Sequence, residues 1–573
     1  MSNLLSIRFR SLKSESRRVS SIIGTALFFS LLATLIPTGM YKNLGYVDPN
    51  MYVGYGVNSS WLVNYVGYEY HATRLPLIFL ISLLLQFPPV LFGFLFKFTC
   101  LSMISLTWFC TCQNFNIRKS NSYLGAFVLL LSPLAISSSS WTFPNSFAML
   151  LGIAVIPVIT KAEYRRKDFY FLGFVLTNVA IMNVLFAALI AVFIAPIFYR
   201  QKVAFSTMSI FRLLFGSLMT WMAFELIWKL VLDFPGSIYR PQFDATFGIN
   251  TWSDEYWKPV SYIIANKPLA INLISFLSIA VIVNTSIYTL ISKEKRPTNL
   301  TVLHLSNILF VFTIIFLYFF KAYIGFSELW YFYIVFFSYF VSLIMIFLSS
   351  NKLINDVLPK TLAISTCLIY LKFQLEFNPN SKSTIILVTF LLAFFIMQQV
   401  IDSTTKFRNG LISFKLVLIF VGTVLSWTIL FFNPMLKNAY SSSDINANTK
   451  YLKNQIWLLE NVASLGATAK SVALYTGPDA SGILGGLEST LSFHMIRLDG
   501  RKGGSPEINL DNWVSSRGEK PESIIVLLDR NIQSSSTNKG YLDLEIPGYC
   551  SVSDRWLPEF DKKITVLAKR ENC

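Results

Sequence analysis

The sequence predicts a mainly α-helical, polytopic transmembrane bundle of about 13 spans, followed by a small extracytoplasmic α/β domain at the C-terminus. Two observations point to the bundle: 54% of the 573 residues are hydrophobic, and only 14% are charged, against about a quarter in soluble proteins. A third observation concerns the tail, where the long apolar runs give way to a polar segment with short strand-like runs. The chain is therefore divided into a basic cytoplasmic N-terminus, a membrane domain and a C-terminal domain, at 1–20, 21–432 and 433–573.

The net charge of +17 does not indicate a nucleic-acid partner. The basic residues form short clusters between apolar runs, such as "KAEYRRK" and "SKEKR", and no single basic stripe. Cytoplasmic loops of membrane proteins show this distribution. The charge pattern therefore predicts membrane topology, with the N-terminus inside and the C-terminal domain outside.

The spans follow from runs of about 20 apolar residues. The first is predicted at 21–40, and it leads to an outer loop at 41–74. The apolar stretch 75–88 is short and ends in "QFPP", which predicts a re-entrant or interfacial piece. A second, long outer loop is predicted at 233–268. The other spans are predicted at 90–112, 122–138, 146–160, two within 169–199, 207–232, 269–291, 300–320, 328–349, 355–375, 384–400 and 411–432.

The tail carries the runs "SVALYTG", "PESIIVLLD" and "KKITVLA", which predict strands, after a helical segment "KYLKNQIWLLENVASL". Cys550 and Cys573 both lie near its end. In an oxidising compartment they are expected to form a disulfide, and the alternative is two unpaired thiols.

The first outer loop holds one acid, Asp48, among tyrosines. Tyrosine rings suit the membrane interface, and they also stack against sugars. Arg74, at the end of the loop, is expected to bind phosphate through its planar fork of donors. A membrane-interface belt of tyrosines is the alternative. The tyrosines are Tyr46, Tyr52, Tyr55, Tyr65, Tyr68 and Tyr70, and the polar groups near them are Asn58, Asn64, Glu69 and His71.

A first span, then Asp48 in "VDPNMYVGY", then Arg74 in "TRLP" opening an apolar piece, resembles the GT-C superfamily of polytopic glycosyltransferases. That superfamily includes protein O-mannosyltransferases and the aminoarabinose transferases of lipid A. The resemblance covers residues 20–80 and implies transfer of a sugar from a polyprenyl-phosphate donor to a glycan, lipid or protein acceptor outside the membrane. It implies a bacterial inner (plasma) membrane, direct displacement with inversion, and Asp48 as the catalytic base or acceptor-positioning residue.

The sequence also departs from this family. Related bacterial enzymes carry acids in a second loop, in a pattern like "W-D-x-x-D-G-P", and the matching segment here is "SWTFPNS". Trp141 fits the pattern, whereas Thr142 and Asn145 stand where acids are expected. Asn145 can position a hydroxyl but cannot act as a base. A divalent metal is the cofactor that the resemblance allows, and this substitution argues against a metal-dependent mechanism.

Further charged residues lie in or beside the predicted spans. Lys97 and Lys321 are candidate ligands for a lipid phosphate, and snorkelling is the alternative for Lys97. Glu225 and Lys229, four residues apart, are interpreted as a structural intramembrane pair, with a proton pathway as the alternative. Acids and aromatic residues, Tyr239 among them, suggest that the loop 233–268 meets a carbohydrate acceptor, although a solvated loop would look similar.

The sequence thus predicts a glycosyltransferase with Asp48 as its catalytic residue. A secondary transporter or lipid-linked oligosaccharide flippase is one alternative, and a non-catalytic protein of the same fold is another. The absence of a "GxxxxGK[ST]" loop argues against an ATP-driven pump. The candidate substrate-binding residues are Tyr52, Tyr55, Asn58, Glu69, Tyr70, His71, Arg74, Lys97, Asn145 and Lys321.

Overall fold

The structure is a computed structural model. It describes residues 2–35, 52–57, 72–140, 142–200, 203–231, 236–240, 268–291, 296–320, 333–351, 353–377, 386, 388–394, 396, 414–431, 453, 456, 472–476, 497–499, 514, 520–521, 523–529, 546–557 and 562–573.

The helices within these ranges are α1 (Ser2–Leu35), α2 (Leu75–Leu84), α3 (Pro89–Asn114), α4 (Lys119–Leu130), α5 (Pro133–Ser140), α6 (Pro144–Gly152), α7 (Val155–Ile159), α8 (Arg166–Met182), α9 (Val184–Ile194), α10 (Pro196–Arg200), α11 (Val203–Leu226), α12 (Pro268–Leu290), α13 (Thr298–Phe320), α14 (Val335–Leu348), α15 (Leu358–Phe377) and α16 (Phe414–Phe431). Two π-helical turns, Ile227–Val231 and Leu353–Val357, adjoin α11 and α15. The described residues are thus mainly helical, as the sequence predicts.

Four helical segments of the described residues are long and apolar enough to cross a membrane: Pro89–Asn114, Thr207–Leu230, Asn272–Leu290 and Thr298–Leu317. A fifth span results if α4 and α5, bent by 61° at the break before Pro133, count as one. These segments coincide with predicted spans, and they indicate an integral membrane protein. The total of about 13 spans and the orientation of the termini stay predictions.

The N-terminal helix differs from its predicted extent. The predicted cytoplasmic segment 1–20 and the start of the first predicted span form one helix, α1, of 34 residues. No proline or glycine occurs before Gly24 to interrupt it. α1 packs against α3 and α4, and the hydroxyl of Ser105 on α3 donates to the carbonyl of Ala26, 3.1 Å away.

Three helix ends meet at one end of the bundle. The side-chain amide of Asn114, the last residue of α3, donates to the carbonyl of Pro157 at 2.6 Å and to Oγ1 of Thr160 at 3.0 Å. Asn299, in the first turn of α13, donates to the carbonyl of Thr160 at 2.6 Å. We call this the basic end, because its loops and the first turns of α4 and α8 carry Arg118, Lys119, Lys161, Arg165, Arg166, Lys167 and Arg296.

The chain crosses between the two ends through α8, α9 and α11. α8 begins at the basic end, where Asp168 in its first turn accepts a hydrogen bond from Lys161 at 2.5 Å. The ring of Phe198 on α10 lies 6.0 Å from the ring of Phe169 on α8, so the chain has returned to the basic end by α10. The predicted helical hairpin within 169–199 is therefore present, with its turn at Asn183.

α11 then leaves the basic end and packs closely on α8. A Cβ added at Gly216 would lie 2.5 Å from the carbonyl oxygen of Tyr170, and one added at Gly173 would lie 2.7 Å from the nitrogen of Ser217. Small residues allow two helices to approach this closely in a membrane. This contact fixes α11 to α8, and Glu225 lies about 33 Å along α11, at the end opposite the basic end.

The C-terminal tail contains a five-stranded mixed sheet with the order β2-β1-β3-β5-β4. β1 is parallel to β2 and β3, and β5 is antiparallel to β3 and β4. The three predicted strands correspond to β1, β3 and β5. The strands are β1 (Val472–Thr476), β2 (Arg497–Asp499), β3 (Ser523–Asp529), β4 (Tyr549–Leu557) and β5 (Lys562–Lys569).

The sheet also carries the predicted disulfide. Cys550 on β4 is bonded to Cys573, which follows β5 and the 3₁₀ turn Arg570–Asn572, and the two Cα atoms are 6.5 Å apart. The predicted helix before β1 lies outside the described residues, apart from Lys453 and Ile456.

Candidate active site

Two of the candidate tyrosines lie on a short helical segment, 52–57, that is fixed against α2. Tyr52 is fully buried, and Tyr55 is almost so. Gly56 permits the close approach, because a Cβ at this position would lie 2.5 Å from Cγ2 of Ile81 on α2. The segment that begins four residues after Asp48 is therefore packed into the protein.

Arg74 lies against this segment at the start of α2. Cζ of its guanidinium is 5.6 Å from the centroid of the Tyr52 ring, within the range of a cation–π interaction. The side chain is 8% exposed. The structure thus brings together Tyr52 and Arg74, which were singled out separately in the sequence.

The residues after Arg74 explain why the helix begins there. Pro76 lies in the first turn of α2, where a proline fixes φ and lacks an N–H that would have no partner. The carbonyl of Arg74 accepts hydrogen bonds from the N–H groups of Leu77 and Ile78, at 3.1 and 3.2 Å. The "RLP" motif therefore places the arginine just before the first helical turn.

Asn145 is hydrogen-bonded to Asn183, the residue that caps α9. Its Oδ1 accepts a hydrogen bond from Nδ2 of Asn183, 2.9 Å away, and it is 5% exposed. Oδ1 of Asn183 in turn accepts from the N–H of Phe186 and caps α9. The bond joins the start of α6 to the turn between α8 and α9, at the end opposite the basic end.

Lys97 is fully buried on α3, about 12 Å from the first residue of that helix. Snorkelling to water, the alternative for this residue, is therefore wrong. A buried ammonium in a spanning helix requires an anionic or polar environment. The role of Lys97 toward a lipid phosphate stays a prediction.

Glu225 does not pair with Lys229, contrary to the preferred interpretation. A carboxylate oxygen of Glu225 accepts a hydrogen bond from the hydroxyl of Ser237, and Lys229 is exposed. The reason is that Glu225 lies near the end of α11, where residues 236–240 fold back over the helix and bring Ser237 to the carboxylate. No described residue forms a hydrogen bond with the other, buried oxygen of Glu225.

Two aromatic rings pack together at this end of α11. The rings of Trp221 and Tyr239 are 5.9 Å apart and tilted by 37°. Burial raises the pKa of Tyr239 above its usual range, and the charge of Glu225 raises it further. Among the described residues, the buried hydroxyl of Tyr239 has no hydrogen-bond partner.

Several candidates lie outside the described residues, namely Asp48, Asn58, Glu69, Tyr70, His71 and Lys321, together with Trp141. Within the part of the chain that the structure describes, no group of three His, Cys, Asp or Glu side chains could hold a metal ion.

Sequence reasoning missed two residues, Asn183 and Tyr333, near the end of the bundle opposite the basic end. Asn183 interrupts an apolar run, and asparagine is a preferred helix cap, so a signal was present. Tyr333 hydrogen-bonds the hydroxyl of Ser137 on α5 at 2.8 Å, a contact across 196 residues that leaves no local pattern.

Comparison with known proteins finds no match to a protein family and none to a curated protein. Two solved structures are similar over nearly the whole chain. Both are ArnT from Cupriavidus metallidurans. The structure bound to undecaprenyl phosphate is 11% identical at a TM-score of 0.43, covering 97% of this chain and 99% of that one. The apo structure is 12% identical at a TM-score of 0.45, covering 98% of each chain.

Proposed function

We propose that this chain is an integral membrane glycosyltransferase. It transfers a sugar from a polyprenyl-phosphate donor to an envelope acceptor, on the side of the membrane opposite the basic end. The observation that carries the proposal is the burial of Arg74 over Tyr52, at the start of α2. A guanidinium oriented in this way offers a planar set of donors that matches a phosphate.

The reaction is a direct displacement at the anomeric carbon, with inversion. The acceptor oxygen forms a bond to that carbon while the bond from the carbon to the phosphate oxygen breaks. The electron pair leaves with the polyprenyl phosphate, and the acceptor proton passes to Asp48. General-base assistance contributes about 10²–10⁴-fold.

The cations lower the barrier by stabilising the charge that develops on the departing phosphate. Arg74 has this role in the proposal, and Lys97 and Lys321 are further candidates. The sugar and acceptor hydroxyls are proposed to meet the remaining candidates, Tyr52, Tyr55, Asn58, Glu69, Tyr70, His71 and Asn145. No step is assigned to a divalent metal.

The acceptor is proposed to approach from the end of α11. There the rings of Trp221 and Tyr239 pack together, and a buried oxygen of Glu225 and the buried hydroxyl of Tyr239 have no hydrogen-bond partner among the described residues. A single sugar hydroxyl can donate a hydrogen bond to the carboxylate of Glu225 and accept one from the phenol of Tyr239. Aromatic rings also stack on sugars. A carbohydrate acceptor suits this combination.

The compartment is proposed from the charges and the disulfide. The basic end faces the cytoplasm under the positive-inside rule. The bond between Cys550 and Cys573 suits an oxidising compartment. These two features support a bacterial inner membrane with the tail in the periplasm. One of the similar ArnT structures is bound to undecaprenyl phosphate, and the proposal does not depend on that likeness.

The decisive experiment measures transfer by purified protein in lipid nanodiscs, with radiolabelled polyprenyl-phosphate sugars and an extract of envelope glycans as acceptor. We expect transfer by the wild type, and loss of about 100-fold or more for Asp48→Asn. Glu163→Gln is the matched control, because it makes the same change of carboxylate to amide at an exposed position of the basic end.

Three results would contradict the proposal. Equal transfer by wild type and Asp48→Asn removes the role of Asp48. Uptake of the labelled lipid-linked sugar by proteoliposomes without transfer favours the flippase. Donor binding without turnover, for every sugar tested, favours a non-catalytic protein.

A further inference from the structure

A cavity lies at the basic end, between α1, α3 and α4, far from the candidate active site. Its volume is about 390 Å³, within the range of small-molecule sites. The polar groups that line it belong to Ser21, Thr25, Gln113, Asn116, Lys119 and Ser122. Three helices and the turn between α3 and α4 therefore contribute to one polar cavity.

The walls of this cavity are held by packed aromatic rings. Phe109 of α3 and Tyr123 of α4 line it, and their ring centroids are 6.2 Å apart. Phe29 of α1 packs against both rings, at 5.6 and 5.4 Å. Behind the wall, the indole N–H of Trp108 donates to the carbonyl of Ser122 at 2.8 Å. The cavity is therefore built into the packing of the three helices.

Asn116 lines the cavity, and the C-cap of α3 fixes its position. The N–H of Asn116 donates to the carbonyl of Gln113 at 3.1 Å, and the N–H of Ile117 donates to that of Cys112 at 2.9 Å. This pair of bonds is the Schellman motif, which requires a left-handed residue. Asn116 fulfils that role with φ of 53°, and its side chain lines the cavity.

The charge of the residues that line the cavity favours an anionic ligand. Lys119 is its one charged residue, and the lining contains no acid. Within the described part of the chain, no carboxylate forms an ion pair with Lys119. Arg17 and Arg18 occupy the helical turn of α1 that precedes Ser21. A cation with hydroxyl and amide groups around it is suited to a phosphate.

The position of the cavity favours a lipid as the source of that phosphate. The part of α1 that contributes Ser21 and Thr25 also exposes apolar side chains, with Val19 50% and Ile23 43% exposed. These side chains suit the acyl region of a bilayer, and the basic end is the one that meets the anionic cytoplasmic leaflet. A phosphodiester would enter the cavity while its acyl chains remain beside α1.

We propose that the cavity between α1, α3 and α4 binds the phosphodiester headgroup of an anionic phospholipid, through Lys119 and the polar groups around it. This site is independent of the proposed transferase activity. Lys119 supplies the charge, and the ring cluster of Phe29, Phe109 and Tyr123 keeps the cavity open. A lipid bound in the cavity would contact both α1 and the turn between α3 and α4.

The test measures lipid binding by native mass spectrometry of the delipidated full-length protein, titrated with dioleoyl-phosphatidylglycerol, dioleoyl-phosphatidylcholine or sn-glycerol 3-phosphate. We expect the anionic lipid to bind most tightly, and Lys119→Gln to weaken it about fivefold. Lys167→Gln, which removes an exposed charge elsewhere at the basic end, is the matched control and should leave the affinity unchanged.

A second variant, Thr25→Trp, fills the cavity and leaves every charge in place. We expect it to remove the binding of phosphatidylglycerol that Lys119→Gln weakens. The proposal is overturned if Lys119→Gln and Lys167→Gln weaken binding equally, or if Thr25→Trp binds as the wild type does. Equal affinity for sn-glycerol 3-phosphate would overturn the lipid as the ligand. The melting temperatures without added lipid report whether each variant is folded.

Discussion

Arg74 and Tyr52 are both buried, and the guanidinium of Arg74 lies 5.6 Å from the centre of the Tyr52 ring. The two residues are 22 positions apart, and they frame the part of the first outer loop that follows Asp48. In the proposed function, this pair orients the cation that meets the donor phosphate.

We expect Arg74→Lys to lower kcat/KM for the lipid-linked donor by about 10–100-fold, because it keeps the charge but loses the planar fork of donors. Tyr52→Leu should lower it by about 3–30-fold through loss of the cation–π contact. The measurement is initial-rate kinetics with varied donor. Arg166→Lys, at an exposed position on α8, is the control. Wild-type kinetics in Arg74→Lys would contradict the assignment.

The bond between Asn145 and Asn183 predicts different outcomes for two substitutions at position 145. Asn145→Leu leaves the half-buried amide donor of Asn183 without its acceptor, and we expect a loss of about 1 kcal/mol in the free energy of unfolding. Asn145→Asp keeps an acceptor at the same place, so it should be destabilised less. Thermal unfolding in detergent compares the two variants. A lower melting temperature for Asn145→Asp than for Asn145→Leu would show that this bond is unimportant.

The contact between α8 and α11 predicts strong sensitivity to one methyl group. Gly173→Ala would place a Cβ 2.7 Å from the nitrogen of Ser217, and we expect it to destabilise the fold by about 1–3 kcal/mol. Gly24→Ala is the matched control, since a Cβ there meets nothing within 4 Å. On α1 it should be neutral or stabilising, because alanine favours a helix. Equal melting temperatures for the two variants would refute this close packing.

The disulfide between Cys550 and Cys573 closes a loop with a sequence separation of 23. Chain-entropy arguments assign about 3 kcal/mol to a loop of this length. The double variant Cys550→Ser, Cys573→Ser should therefore unfold its tail at lower temperature than the wild type without reductant, as followed by limited proteolysis. Reductant should lower the unfolding temperature of the wild-type tail to that of the variant. A wild type that is insensitive to reductant would argue against the bond.

Tyr549 predicts how the tail responds to alkaline pH. Its hydroxyl donates to the carbonyl of Pro521, and burial raises its pKa above the ordinary value of 10.0. The folded tail thus holds the proton more tightly than the unfolded tail does. The stabilisation is complete below pH about 10 and is lost as the pH rises further. Tyr549→Phe should remove this part of the pH dependence, measured by proteolysis between pH 8 and 11.

The sequence predicts the helices and much of the sheet because each has a local signal. Runs of apolar residues locate α3, α12 and α13, and β-branched runs locate β1, β3 and β5. β4 was not predicted, because "YCSVSDRWL" is polar and a register shift between Ser551 and Ser553 breaks its alternation. β2 has three residues, too few for a pattern.

The site was predicted less completely, for reasons of distance along the chain. Arg74 and Tyr52 were identified from the local pattern of one loop, although their contact was not. Glu225 was assigned to Lys229 because the two share a helix face, and the actual partner, Ser237, comes from the chain that folds back beyond the helix. The bond from Asn183 to Asn145 spans 38 residues and has no local signature.

The length of α1 has a mechanical consequence. A helix of 34 residues extends about 51 Å, whereas the hydrocarbon layer is about 30 Å thick. Part of α1 therefore extends beyond the hydrocarbon layer, and the helical repeat fixes the angular position of Arg17 and Arg18 relative to that of Ser21 and Thr25. Inserting one alanine after Arg18 would rotate the preceding part of the helix by about 100° relative to the cavity, without altering any charge.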